Sequence, residues 1–141
     1  MQSQRGFTLI EVMVVVVILG ILAAIVVPRI MSRPDEARVI KAQQDLRAIG
    51  AALDLYKLDT FAYPTTAQGL EALVVRPGTL APGADWREGG YLAKLPMDPW
   101  GGQYQYLAPG QHGEYDLFSL GADGALGGEG NHRDLGNWDE E

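Results

Sequence analysis

The amino-acid sequence predicts an α+β fold: a long N-terminal α-helix, apolar in its first half and amphipathic in its second, packed on a small antiparallel β-sheet. Three observations predict it. Every residue from Val12 to Val27 is apolar or glycine. From Asp35 to about Leu58, the residues Ala42, Leu46, Ile49, Leu53 and Tyr56 recur at alternating steps of four and three, which places them on one helical face. Further on, Gln103 to Leu107 and Glu114 to Leu120 read as two strands joined by the loop APGQHG.

Composition sets the limits. A chain of 141 residues holds one domain plus an anchor. Its net charge of −7 argues against nucleic-acid binding, which needs a basic face. There is no cysteine, which excludes disulfides, thiolate metal sites and a cysteine nucleophile. A small exported core without disulfides needs another staple.

The apolar run from Phe7 to Val27 matches the roughly 20 residues of a membrane-spanning helix. Arg5 precedes it and Arg29 and Arg33 follow it, so the flanking charge gives a poor orientation signal. Three readings compete: a cleaved secretory signal, a plain single-pass anchor, and a helix that leaves lipid to pack against copies of itself. The first fits weakly, because Ala23 and Ala24 are followed by more apolar residues and Pro28. Glu11 bears on the other two. A carboxylate in hydrocarbon costs several kcal/mol, so Glu11 either snorkels at the interface or has a cationic partner. A cut after Gly6 would give Phe7 a free amino group one helical turn from Glu11, or level with it on a neighbouring copy.

Pro28 predicts a kink or local melting, and Gly20 weakens the preceding turns. Ser32, Pro34, Asp35 and Glu36 read as a helix restart. Beyond it, Arg38, Lys41, Gln44, Asp45, Arg47 and Asp54 form the polar face opposite the core.

Pro64 marks a turn, and Thr65 or Thr66 caps a short helix near Ala67 to Val74. Arg76 to Gly90 is loop, Tyr91 to Leu95 a short strand or turn, and the stretch from Asp98 to Gly102 a turn. Trp100 plugs one end of the core and Trp138 pins the tail. His112 and His132 stand in glycine-containing loops with no second histidine at metal-binding helical spacing and no Ser/His/Asp set, so no enzyme is expected. The stretch SLGADGALGGEGNHRDLGNWDEE has two readings, a plain loop with a frayed tail or a Ca2+ loop. Asp123, Glu129, Asn131 and Asp134 offer the hard oxygen ligands for the second, at spacings unlike an EF-hand.

The N-terminal stretch RGFTLIEVMVVVVILGILAAIVVP resembles the class III signal of type IV pilins and pseudopilins: a leader ending in glycine, then Phe, then Glu at the fifth following position of an apolar helix. The resemblance implies cleavage between Gly6 and Phe7 by a prepilin peptidase, N-methylation of Phe7, and an assembly role for Glu11. Past the signal, LDLYKLDTFAYPTTAQGLEAL, GGYLAKLPMDPWGGQYQYLAPGQHGEYDLFSLGADG and DLGNW resemble the G-type major pseudopilins of bacterial type II secretion systems. That family implies a leader over 1–6, a transmembrane and filament-core helix over 7–34, and a periplasmic domain over 35–141. It also implies Ca2+ in the C-terminal loop, carried over to the Leu120 carbonyl and the Asp123 carboxylate. Gly130 stands where relatives often place the second acid, leaving Asp134 as the best substitute and Glu129 and Asn131 next.

The implied function is that of major subunit of a periplasmic helical fibre that helps drive folded exoproteins through an outer-membrane secretin. The chain would be single-pass in the inner membrane, with its C-terminal domain in the periplasm. Its implied partners are copies of itself, minor pseudopilins, the inner-membrane assembly platform and the peptidase. A type IV pilin of a surface fibre is the alternative; such pilins commonly carry a C-terminal disulfide.

Overall fold

The computed structural model describes residues 6–140, with the side chains of residues 26–33 and 140 outside the description. The leader expected over 1–6, Arg5 included, therefore lies outside the described residues except for Gly6. The chain divides into two compact units, Met1–Glu36 and Ala37–Glu141.

A single helix, α1, runs from Leu9 to Thr60 over 52 residues. The local melting expected as one outcome at Pro28 and the restart expected at Ser32 to Glu36 are corrected: the helix runs without interruption across both prolines. A proline removes one amide donor and crowds the carbonyl four residues back, and a long helix with intact turns on either side absorbs that local loss. In the first unit every described side chain from Gly6 to Ile25 is exposed. Among the described residues no helix is long and apolar enough to cross a membrane. The apolar run of the sequence continues past Ile25 into Val26 and Val27, whose side chains lie outside the description.

The second unit holds the core. The predicted face, Ala42, Leu46, Ile49, Leu53 and Tyr56, is buried, together with Ala52. Leu70, Ala72 and Leu73 of a 3-10 turn, Tyr104, Leu117 and Leu135 close over it. The outward face is less polar than the sequence suggested, since Ile40, Leu55 and Leu58 are exposed on it. Three aspartates of α1 instead receive tyrosine hydroxyls. Tyr104 donates to Asp45 at 2.8 Å, Tyr63 to Asp54 at 2.8 Å and Tyr91 to Asp59 at 3.0 Å. Burial above all pushes the pKa of all three phenols up; the carboxylates add to it, and at Tyr91 the Arg87 N–H opposes it without reversing the direction, so all three remain donors across the physiological range.

The helix ends at Phe61, whose φ of 69° is left-handed. For a residue with a Cβ that conformation costs roughly 1–2 kcal/mol. Thr65 begins the next turn, accepting the Gln68 N–H at 3.2 Å while the Gln68 side chain accepts the Thr65 N–H at 2.9 Å. Thr66 has a different task, bonding both backbone groups of Ala108. The expected helix over Ala67 to Val74 shrinks to a 3-10 segment, Leu70–Leu73, because Gly69 at φ 62° interrupts the run.

The sheet has three strands in the order β1-β2-β3, all antiparallel: β1 Gln105–Leu107, β2 Asp116–Ser119 and β3 Leu135–Gly136. Two of them were expected, slightly longer. The third falls in a segment for which a frayed tail was one reading. Tyr91 to Leu95 forms bends rather than a strand. Trp100 is half-buried against the core, and Trp86 anchors the long loop by donating to the Ala72 carbonyl at 2.9 Å.

Candidate processing and ion-binding sites

At the N-terminus, Gly6 and Phe7 are exposed and precede the first helical turn. A side chain at Gly6 would meet nothing within 4 Å. Thr8 is the N-cap. Its N–H donates to Glu11 Oε2 at 3.4 Å, and the Glu11 N–H donates to Thr8 Oγ1 at 3.3 Å. This reciprocal pair satisfies two of the amides that a helix start leaves without partners. The arrangement was legible as Thr-x-x-Glu, but the sequence reading weighed Glu11 only as a charge. Phe7, Glu11, Val12, Val15 and Val16 line one shallow hollow, so Phe7 and Glu11 are neighbours within a single chain.

At the other end, the ligands expected for an ion lie on a loop whose ends are clamped. Ser119 pairs with Leu135 across β2 and β3, so residues 120–134 leave and return at the same sheet edge. Leu120 caps a 3-10 turn, Gly121–Asp123. Gly121 has φ 68°, and a Cβ there would lie 2.6 Å from the Arg133 carbonyl and 3.3 Å from that of Asn131. Only glycine permits the two arms of the loop to meet so closely. Asp123 Oδ1 accepts the Ala125 N–H at 3.1 Å, and Asp134 Oδ2 accepts the Gly127 N–H at 2.9 Å. The other oxygen of Asp134, Oδ1, is buried and receives no hydrogen bond from the described residues. An orphaned buried carboxylate oxygen is costly, and a cation removes that cost.

Asp134 and Leu120 border one cavity of about 490 Å³, together with Tyr106, Phe118, Leu126 and Trp138 and the polar His112 and Asp116. Asp123, on the turn that follows Leu120, is exposed, as are Glu129 and Asn131 on the second arm. Among the described residues no group of three or more His, Asp or Glu side chains converges. An ion here would draw on two carboxylates, with carbonyls and water completing the six to eight oxygens that Ca2+ takes.

The tail beyond the loop is locked by side chains that imitate a strand. Asn137 Oδ1 accepts the Leu117 N–H at 2.9 Å, and its amide donates to the Tyr115 carbonyl at 3.3 Å. Trp138 stacks on His112 with ring centroids 4.1 Å apart, and a Cβ on Gly136 would strike its ring at 2.5 Å. Below the stack, Asp116 is buried. It accepts the N–H groups of Gln111 at 2.9 Å and His112 at 3.0 Å, and its Oδ2 lies 3.1 Å from His112 Nδ1. Burial alone would raise the Asp116 pKa; those donors outweigh it and hold the carboxyl below its usual range. Asp98 plays a similar part, accepting from Trp100 N–H, Gly102 N–H and the Ser119 hydroxyl. Neither aspartate was singled out from the sequence, where each read as part of a turn or strand.

The comparisons with known proteins agree along the chain. The family model described as type II secretion system (T2SS), protein G matches residues 29–138, and that of the prokaryotic N-terminal methylation motif matches residues 1–27. The type II secretion system core protein G of Pseudomonas aeruginosa is 64% identical over 138 residues, covering 98% of this chain and 97% of that protein. Its counterpart from Vibrio cholerae is 58% identical, covering 98% and 94%. The crystal structure of the major pseudopilin from the type 2 secretion system of enterohaemorrhagic Escherichia coli superposes with a TM-score of 0.69. It is 48% identical and covers 81% of this chain and 97% of that one. The surface-pilin alternative is not favoured, and the matching family is one of structural secretion components rather than of enzymes. On this evidence the chain belongs to the type II secretion system protein G family, the pseudopilins of that apparatus.

Proposed function

We propose that this chain is made as an inner-membrane precursor, is cut between Gly6 and Phe7, is N-methylated on Phe7, and then polymerises into a periplasmic fibre. The observation that carries the reading is the N-terminal segment itself: a cap formed by Thr8 and Glu11, followed by described side chains that are all exposed as far as Ile25. Counted in full, the apolar run from Phe7 to Val27 meets the roughly 20 residues a bilayer requires. Exposed apolar surface of that extent needs lipid or other chains around it. Glu11 would exchange one partner for another: its carboxylate faces the Thr8 amide in the precursor and the new Phe7 amine after cleavage. Head-to-tail contacts that do not close then generate a filament.

The prepilin peptidase, minor pseudopilins and the assembly platform are the partners this course requires, with residues 35–141 in the periplasm. The fibre would push folded exoproteins toward the secretin. Mass analysis of the chain from cells possessing the peptidase tests the reading. The expected species has lost residues 1–6 and gained one methyl group. An intact Met1 would leave only an ordinary anchor.

Ca2+ is the second part of the proposal. The Leu120 carbonyl, Asp123 and Asp134 would hold it, with Glu129 or Asn131 reachable from the second arm. When bound, the ion supplies the positive charge that the orphaned Asp134 oxygen and the acidic loop lack. The chain's own residues supply the rest: Gly121 brings the arms together, and the Ser119–Leu135 pair fixes their ends. Binding confined to the folded form stabilises it by about 2.7 kcal/mol at a hundredfold excess over Kd.

A further inference from the structure

Phe61 combines two properties that bring an isolated subunit no stability. Its backbone is left-handed, at the position after a helix where glycine is the usual occupant. Its ring is 80% exposed, so no packing within the chain holds it there. One turn back, Leu58 is 72% exposed and Leu55 is also open. The turn is built without the ring: the Phe61 N–H donates to the Lys57 carbonyl at 2.8 Å, and the Thr60 hydroxyl donates to the Tyr56 carbonyl at 2.8 Å.

The charged side chains beside this patch are engaged within the chain. Lys57 pairs with Glu114 at 2.6 Å, Asp54 accepts the Tyr63 hydroxyl, and Asp59 accepts from Tyr91 and pairs with Arg87 at 3.4 Å. A rim neutralised in this way does not repel a copy of itself, and it offers little to a partner chosen by charge. What remains is an apolar knob.

We propose that Phe61, with Leu58, anchors a contact with a second copy of this chain. The proposal rests on the filament reading above. The patch is too small to act alone: an aromatic side chain buries about 150–250 Å², against roughly 800 Å² per partner in a stable complex. It orients copies that their apolar N-terminal segments have already gathered, so each contact is strengthened by the other.

The test uses the full chain in cells that carry the rest of the secretion apparatus. Phe61→Gly removes both the ring and the left-handed strain; Phe61→Ala removes the ring alone. The Gly variant, solubilised in detergent, should melt about 4 °C higher than the parent. Both variants should be processed normally yet join fibres about tenfold less readily, as expected for an interface anchor. Benzoyl-phenylalanine placed at position 61 should give, on irradiating fibres, an adduct of two subunit masses. Fibre yields equal to wild type in both variants would overturn the proposal alone, as would adducts only with a different protein. Failure of the wild-type chain to form fibres would overturn the filament reading and this contact with it.

Discussion

Asn137 is where a small change should cost most. It is the side chain that completes the edge of β2, accepting the N–H of Leu117, a residue with no solvent exposure. Asn137→Ala leaves that buried amide without a partner, at about 1–3 kcal/mol, and removes the bond to the Tyr115 carbonyl, at about 0.5–1.5 kcal/mol. Together the loss is about 1.5–4.5 kcal/mol. For a unit of the size of Ala37–Glu141, each kcal/mol lowers Tm by about 4 °C, so the variant should melt about 6–18 °C below the parent. The assay is thermal melting of the detergent-solubilised chain followed by tryptophan fluorescence, which includes Trp138 beside the altered residue. Asn137→Asp separates the two contributions, because its carboxylate still accepts from Leu117. It should lose only about 4 °C. If Asn137→Ala melts within about 2 °C of the parent, or if Asp is as damaging as Ala, the strand-mimicking role assigned to this side chain is wrong.

Three other expectations concern charge and metal. Calcium should raise Tm of the full chain and EDTA should lower it, with Asp134→Asn removing most of the difference; identical melts in both would refute the ion site. Asp116 has a lowered folded pKa, so its stabilisation is fully present above the ordinary carboxylate value near 4 and is lost as pH falls through the folded value. Asp116→Asn should therefore flatten the acid limb of a stability–pH curve below about pH 4 while lowering the plateau. Glu11→Ala should give stable, processed protein that assembles poorly, and Thr8→Val should reproduce part of that defect by removing the hydroxyl from the cap. Normal fibres from Glu11→Ala would show that its carboxylate only reaches for the interface.

The elements with a strong period were legible. Ala42 through Tyr56 fell on the buried face because a 3.6-residue repeat has one reading over that length. The hairpin was legible from its alternating strands. The third strand was not, since Leu135-Gly136 is too short to show alternation and exists only because β2 lies beside it. The melting and restart read from Pro28 and Pro34 were overread: each proline carries a local cost, and the helix continues through both. At the C-terminal loop, residue types pointed to Asp123, Glu129, Asn131 and Asp134. The sequence could not show that one oxygen of Asp134 is buried without a donor, because that depends on Gly121 bringing the two arms together. The capping role of Thr8 could have been found, since Thr-x-x-Glu before an apolar run is a recognised start signal.

The three tyrosine–aspartate bonds have a mechanical consequence. Tyr104, Tyr63 and Tyr91 grip Asp45, Asp54 and Asp59 at separate heights along the second half of α1. A force along this half of α1 loads these bonds in shear and in parallel, together with the core beneath them. Sliding the helix by one residue would break all three at once rather than one after another. Within the second unit, sheet and loops are thereby riveted to the helix at three points, so the joint resists sliding as one piece.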